Sequence, residues 1–286
     1  MRTFHALLKV GQETLAPHTT DYRVDSEWLL CHVFRYSKAQ LLARLSELSG
    51  SDSLETRYEA LLAQRVSGVP LAYLVGEADF MGRVFHVVPG VLVPRPETAV
   101  LVDQVVGYIQ ALSSQKQVRV LELGVGTGIV GISIALAVPD VRVVGWDISD
   151  KAIEVAQKNA EVLGAFQVQF CHGDFFEGCE DYLSDAGYHT MMVSNPPYIS
   201  DSVVTTLETS VCDHEPLEAL AGGEDGLDYY RRLIQVSSQY GCLLCCEMGF
   251  DQREGISGLY RDMGLKEPTF FKDEQGLDRG FLFHSC

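Results

Sequence analysis

Residues 120–131 read VLELGVGTGIVG. A short β-rich run, QVRVLEL, hands over to glycines at 124, 126, 128 and 131, and the apolar stretch that follows, IVGISIALA, has the length of a helix. A strand that passes through a glycine loop into a helix is where a doubly wound α/β fold holds a cofactor, because glycine lets the backbone approach a ligand closely. Working outward, strands and helices alternate. A helix, ETAVLVDQVVGYIQAL, precedes the loop; a strand (VRVVGWD), a helix (SDKAIEVAQKNAEVLG) and a strand (VQFCHGD) follow it. Beyond them lie the strand HTMMVS, a helix around GLDYYRRLIQVSSQ, the strand CLLCCE, a helix near DQREGISGLYRDMG, and two closing strands, PTFFKD and RGFLFH. Seven short apolar strands separated by helices predict a doubly wound, mostly parallel sheet covered on both faces, with an antiparallel pairing at the end of the chain.

The first ~75 residues have another texture. Apolar residues recur at helical spacing in DSEWLLCHVFRYSKAQLLARL, which Asp25 or Ser26 is expected to cap, and again in SLETRYEALLAQRVSG. Between Pro70 and Pro96, glycines and prolines alternate with β-rich pieces such as RVFHVV and VLVP, as in a hairpin or a pair of short strands. The expected organisation is a helical domain over 1–75, a hairpin linker over 76–96 and an α/β domain over 97–286.

Composition narrows the function classes. Hydrophobic residues make up 47% of the 286, enough for a packed core, and no apolar run has bilayer length. The N-terminal MRTFHALLKVGQETL is interrupted by Lys9, Gln12 and Glu13 and has no signal-peptide pattern, so a soluble cytoplasmic protein is expected. A net charge of −17 disfavours a broad surface for duplex nucleic acid and favours a small-molecule or protein substrate. The 8 cysteines lack paired spacing and the 8 histidines lack ligand spacing, so no metal site is expected.

The glycine loop alone leaves two ligands open. Gly126, Gly128 and Gly131 satisfy the dinucleotide pattern, and Asp147, about twenty residues on at the end of the next strand, suits a ribose in either case. Glu122, Gly124, Val125, Gly126, Thr127 and Gly128 form E-x-G-x-G-x-G, whose acidic residue suits a cofactor with an ammonium and a sulfonium better than a pyrophosphate. Asp174 and Phe175, ending the third strand, are candidates for contacts to an adenine.

Ser194-Asn195-Pro196-Pro197-Tyr198 decides between the two. Consecutive prolines neither continue a helix nor donate to a ladder, and they hold the residues before them extended. The Asn195 side-chain carbonyl and the Pro196 backbone carbonyl are then two fixed acceptors for a planar –NH2 group, and Tyr198 is available to stack on a flat substrate. An amide nitrogen is a poor nucleophile; paired acceptors orient it and expose its lone pair to a methyl donor, so positioning and fixed dipoles supply the catalysis.

These residues resemble the HemK/PrmC family of peptide chain release factor glutamine methyltransferases over nearly the whole chain. PLAYLVGEADFMGRVFHVVPGVLVPRPET is similar to its hairpin block, VLELGVGTG to its cofactor loop and VSNPPYI to its catalytic segment; DHEPLEALAGGEDGLDYYRRL and EMGFDQ are similar to its later blocks. The resemblance implies a seven-stranded methyltransferase sheet with an antiparallel last strand, S-adenosyl-L-methionine as cofactor, and methylation of the glutamine in the Gly-Gly-Gln motif of class-1 release factors. It implies that the helical domain helps to bind the release factor. Cofactor contacts are expected from Gly124 to Gly128, Asp147 and the Phe175 region, substrate contacts from Asn195, Pro196, Pro197 and Tyr198, and a substrate-side wall from Arg95 and Glu97. The chain departs from the family at Val125, where a small polar residue is common, at Ala99, where an acid is common after PRPET, and at Phe175, a site that can hold Trp. None of these removes a group that the chemistry needs. Three other classes remain in view. An adenine or cytosine amino methyltransferase shares the tetrapeptide but usually carries a basic recognition module. A nicotinamide-dependent oxidoreductase leaves NPPY without a role, and a non-catalytic binding module has no use for an intact Asn195 and Tyr198.

Overall fold

The computed structural model of the protein describes residues 1–112, 117–207 and 213–284. It divides into two compact units, one built on Met1–Glu77 and the other on Ala78–Leu207 with the chain from Glu215 onward.

The first unit is helical: α1 (Phe4–Leu15), α2 (Tyr22–Phe34), α3 (Lys38–Ala43), α4 (Asp52–Val66) and α5 (Leu71–Val75). Phe4, Leu7, Leu15, Leu29, Leu30, Leu41, Tyr58 and Leu62 form its core. The long helical stretch read from the sequence is two helices. Arg35 adopts a left-handed conformation (φ 56°) that ends α2, and a capping box between Ser37 and Gln40 starts α3. Apolar periodicity runs across this break, so it gives no sign of it. Asp25 and Ser26 are not caps. The helix begins earlier, at Tyr22, and both side chains point into the interior, where Asp25 pairs with Arg65 at 2.7 Å.

The second unit opens with the hairpin β1 (Glu77–Phe80) and β2 (Arg83–His86), which turns through Met81 and Gly82, both at positive φ. Phe80 and Phe85 are buried in the same core as α6 (Ala99–Ala111), and Asn159 of α8 (Asp150–Leu163) accepts from the His86 N–H at 2.7 Å and donates to its carbonyl. VLVP, read as β-rich, forms no strand. Pro89 and Pro94 interrupt any ladder, and the Val93 N–H donates to the Glu215 carboxylate instead.

The main sheet has seven strands: β3 (Gln117–Leu123), β4 (Arg142–Asp147), β5 (Val168–His172), β6 (Tyr188–Ser194), β7 (Leu243–Glu247), β8 (Thr269–Lys272) and β9 (Asp278–Phe283). Their order is β5-β4-β3-β6-β7-β9-β8; the first five are parallel, and β9 lies antiparallel to both β7 and β8. Alternation along β3 sends Val120 to one face, with Leu101, Val105 and Ile132, and Leu121 to the other, with Trp146, Tyr230 and Ile256. Burial on both sides explains why these strands are apolar throughout. Among the described residues no helix is long and apolar enough to cross a membrane, and no group of three His, Cys, Asp or Glu side chains is placed to hold a metal ion.

Burial raises the Asp25 carboxyl above its ordinary range, and Arg65 is the counter-ion that opposes this. Arg65→Ala is therefore expected to destabilise the helical unit by about 3 kcal/mol at neutral pH. The loss should shrink on acidification as Asp25 takes up a proton; urea unfolding followed by circular dichroism at pH 7 and pH 4 measures both.

Candidate active site

The parallel strands end in register. Leu123 lies opposite Trp146 on one side and Ser194 on the other, and Ser194 lies opposite Cys246. The residues that leave the sheet next gather at its carboxyl edge, where an open α/β sheet binds ligands.

After β3 the chain turns through Gly124 and Gly126, whose amides, with that of Val125, are held by β4. Gly124 N–H and Val125 N–H donate to the Trp146 carbonyl at 2.9 and 3.2 Å, and Gly126 N–H donates to Asp147 Oδ2 at 2.9 Å. Asp147 Oδ1 accepts from the Ser149 N–H at 3.0 Å. Burial raises the Asp147 carboxyl, and these amide donors act against it.

The glycines divide into two groups. A Cβ built on Gly124 (φ 71°) or Gly126 (φ 53°) meets no atom within 4 Å, and both residues line a cavity of about 550 Å³. At Gly128, Gly131 and Gly145 a Cβ would strike Ile132, Glu122 and Val125 at 2.7, 2.3 and 2.4 Å. These three let helix α7 (Ile129–Ala137), strand β4 and the loop pack closely; they do not line the cavity.

Of the expected cofactor residues, Gly124, Gly126, Asp147, Asp174, Phe175 and Asn195 line this cavity, and Glu122, Val125, Thr127 and Gly128 do not. Val125 packs behind the loop against Ile153 and Ala156. Glu122 is buried under the loop, and its Oε2 has no hydrogen-bond partner. Burial pushes Glu122 up to about 8. The cavity also contains residues that the sequence did not single out, among them Trp146, Tyr229 and Arg232. Trp146 meets Phe175 edge-on with ring centroids 5.3 Å apart. Asp174 caps a short helix through the Phe176 N–H at 2.9 Å, and the Arg232 guanidinium lies 3.6 Å from Asp174 and 3.8 Å above the Phe176 ring.

Asn195 and Pro197 line the cavity; Pro196, Tyr198, Arg95 and Glu97 lie outside its wall. Three contacts hold the Asn-Pro-Pro-Tyr segment. Ser194 Oγ donates to the Leu123 carbonyl at 3.0 Å, Asn195 Nδ2 donates to Thr98 Oγ1 at 3.3 Å, and Gln252 Nε2 donates to the Tyr198 carbonyl at 2.8 Å. Ile199 then pairs with the stretch Leu220–Gly222. A Cβ on Gly222 would sit 2.8 Å from the Pro197 carbonyl, and one on Gly226 would strike the Tyr198 carbonyl, so these two glycines of the GGEDG run let the tetrapeptide lie against it, while Gly223 makes room for the Asp228 carboxylate. Burial raises the pKa of the Tyr198 hydroxyl, and the Glu247 carboxylate adds to the rise. Arg95 pairs with the buried Glu215 at 2.6 Å, tying the PRPET segment to the start of the EPLEAL segment.

A family model described as the PrmC N-terminal domain matches residues 6–76, and one described as a methyltransferase domain matches residues 114–249. A release factor glutamine methyltransferase from Bacillus anthracis is 35% identical over 262 residues, 91% of this chain and 90% of that protein. Another from Neisseria gonorrhoeae is 37% identical over 260 residues, 90% of this chain and 91% of that protein. The chain belongs to the release factor glutamine methyltransferase family. Among solved structures, the human methyltransferase 10 domain containing protein is similar in fold, with a TM-score of 0.50 at 15% identity over 68% of this chain and 86% of that one.

Within this family frame, Thr98 and Gln252 are the residues that sequence reading passed over. The first ends the PRPET block and the second stands in EMGFDQ, but nothing in their spacing reveals a hydrogen bond to the tetrapeptide. Glu122 gives a direct test of its buried state. With a folded value near 8 against an ordinary 4.5, it holds a proton in the native state that the unfolded chain releases. Its contribution to stability is full below pH 4.5 and declines until pH passes 8. Glu122→Gln should flatten the fall of the urea midpoint between pH 5 and 8; equal slopes for the two proteins would contradict the placement.

Proposed function

We propose that the protein transfers a methyl group from S-adenosyl-L-methionine to the side-chain amide nitrogen of the glutamine in the Gly-Gly-Gln motif of class-1 peptide chain release factors. The observation that carries this reading is Asn195 on the cavity wall, its amide nitrogen anchored on Thr98, at the strand end beside the open glycines.

The residues present fit the cofactor. A cavity of about 550 Å³ is within the usual span of small-molecule sites. Gly124 and Gly126 leave room where side chains would intrude, Asp147 supplies a carboxylate for ribose hydroxyls, and Trp146 and Phe175 supply aromatic surface beside Asp174. Bound there, S-adenosyl-L-methionine supplies an electrophilic methyl carbon on a sulfonium. Asn195 Oδ1 and the Pro196 carbonyl accept the two amide hydrogens of the glutamine and turn its nitrogen lone pair toward that carbon. Pro196 and Pro197 bring no N–H of their own to compete for these acceptors. The Gln252 and Gly222 contacts hold the segment in place before substrate arrives, so little reorganisation is left for the reaction itself. The net charge of −17 suits a protein partner with basic surface.

Labelled-methyl transfer to a purified class-1 release factor, with Gly-Gly-Gln changed to Gly-Gly-Ala as control and DNA as a competing substrate, tests the assignment. Label on the control or on DNA alone would refute it. Asn195→Ala is expected to lower kcat by about 10²-fold while cofactor affinity stays within a few-fold. Asp147→Ala should weaken S-adenosyl-L-methionine binding about tenfold by calorimetry, since it removes a charged acceptor and the anchor of the Gly126 amide.

A further inference from the structure

Asp147, the last residue of β4, and His172, the last of β5, are register partners at the carboxyl edge of the sheet. Their side chains hold the two ends of one peptide unit, the one that joins Ile148 to Ser149. At its N–H end, the Ser149 N–H donates to Asp147 Oδ1 at 3.0 Å. At its carbonyl end, His172 Nε2 lies 3.0 Å from the Ile148 oxygen. A carbonyl only accepts, so the hydrogen of this second bond sits on the imidazole Nε2. Asp150 Oδ1, 3.5 Å from the same nitrogen, is a further acceptor beside it. We propose that His172 is a positioning residue for the cofactor, acting through the Ile148 carbonyl to hold the Ile148 side chain against the adenosyl group. The proposal rests on the reading above, in which the cavity takes S-adenosyl-L-methionine.

A peptide unit is planar, so its carbonyl and N–H turn together. Bonds at both ends fix the rotation of that plane about the chain, and with it the direction of the side chain before it. A bond at the Ser149 end alone leaves the plane free to swing. The residue so directed is exposed to the cavity. Ile148 lines it, as do Ser149 and, at the neighbouring strand end, Gly173 and Asp174. Ile148 is 61% exposed, a branched apolar side chain left uncovered on the wall of a ligand site. The flat face of an adenine is a group of the cofactor that would take that surface out of water.

The two anchors differ in what they can do besides. Asp147 lines the cavity and also holds the Gly126 amide, so its loss disturbs the glycine loop. His172 is not part of the cavity wall, and the Ile148 carbonyl is the one contact through which it bears on it. Asn195 and the Tyr198 carbonyl are held by Thr98 and Gln252 instead. Removing the imidazole therefore loosens the cofactor and leaves the transfer step as it was. A wall already in its bound shape spares the ligand the ordering of it, which is where the affinity comes from.

The test combines the calorimetric Kd for S-adenosyl-L-methionine with kcat and cofactor KM for methyl transfer to release factor. It uses the full chain and its variants His172→Ala, His172→Gln, Ile148→Ala and the double variant of His172→Ala with Ile148→Ala. The His172 side chain is half exposed, so its removal spares the core, and thermal midpoints check this. His172→Ala should raise Kd and cofactor KM about fivefold to tenfold, with kcat at saturating cofactor within about twofold of the wild type. His172→Gln, whose Nε2 also carries hydrogen, should recover most of that loss. The double variant should bind no more than about twofold more weakly than Ile148→Ala, because both changes remove one contact. An unchanged Kd in either single alanine variant, a glutamine variant as weak as alanine, losses that multiply in the double variant, or a fall in kcat with cofactor KM unchanged overturns the proposal. If the wild type binds the cofactor and His172→Ala binds it equally well, only the positioning role falls. If the wild type does not bind it, the reading of the cavity falls and the proposal with it.

Discussion

The parallel hydrogen-bond ladder that sets Leu123, Trp146, Ser194 and Cys246 in a row is the constraint on which the site depends. Because those four residues are level, the four that follow stand together at the carboxyl edge: Gly124 and Asn195 just past their strands, Asp147 and Glu247 as the last residues of theirs. Each has its own task. One opens space, one staples the loop through the Gly126 amide, one faces the cavity, and one is buried at the edge beside it. A shift of one residue in any pairing would exchange the two faces of that strand and put an apolar side chain where a polar one is needed.

The loop beyond β3 shows how one motif carries two physical demands. Gly124 and Gly126 adopt positive φ with open space beside them, as a close approach to a ligand requires. Gly128 shares the positive φ (82°), but a methyl group there would collide with Ile132, and one on Gly131 would collide with Glu122. A spacing pattern counts all four alike. The same holds for the acids: Asp147 lines the cavity, whereas Glu122, two residues before the first glycine, is packed beneath the loop and pushed up to about 8 by burial.

The catalytic segment is stiff for local and for distant reasons. Its prolines restrict it from within. From outside, Gly222 and Gly226 let a second segment lie against it, and one glutamine, Gln252, donates to both the Tyr198 and Gly226 carbonyls while accepting from the Gly249 N–H. Arg95 and Glu215 do the same for the PRPET segment, which brings Thr98 to Asn195. The long-range polar contacts thus converge on the tetrapeptide, where a small displacement of an acceptor is costly.

What the sequence determined by itself was what depends on near neighbours. Strand and helix alternation, the helical first unit, the glycine loop, Asp147 at the end of β4 and the rigid Asn195–Tyr198 segment all follow from periodicity, backbone restrictions and fixed offsets along the chain. The Ser37 capping box was equally local, but the apolar pattern running through it concealed the break between α2 and α3. Tertiary structure alone decided what depends on residues far apart in the chain. Asn195 meets Thr98 across 97 positions, and Gln252 reaches the Tyr198 carbonyl across 54. Pairings of that kind follow from strand order and register, which no local pattern encodes, and they decide which carboxylates are buried and which of them bear on the chemistry.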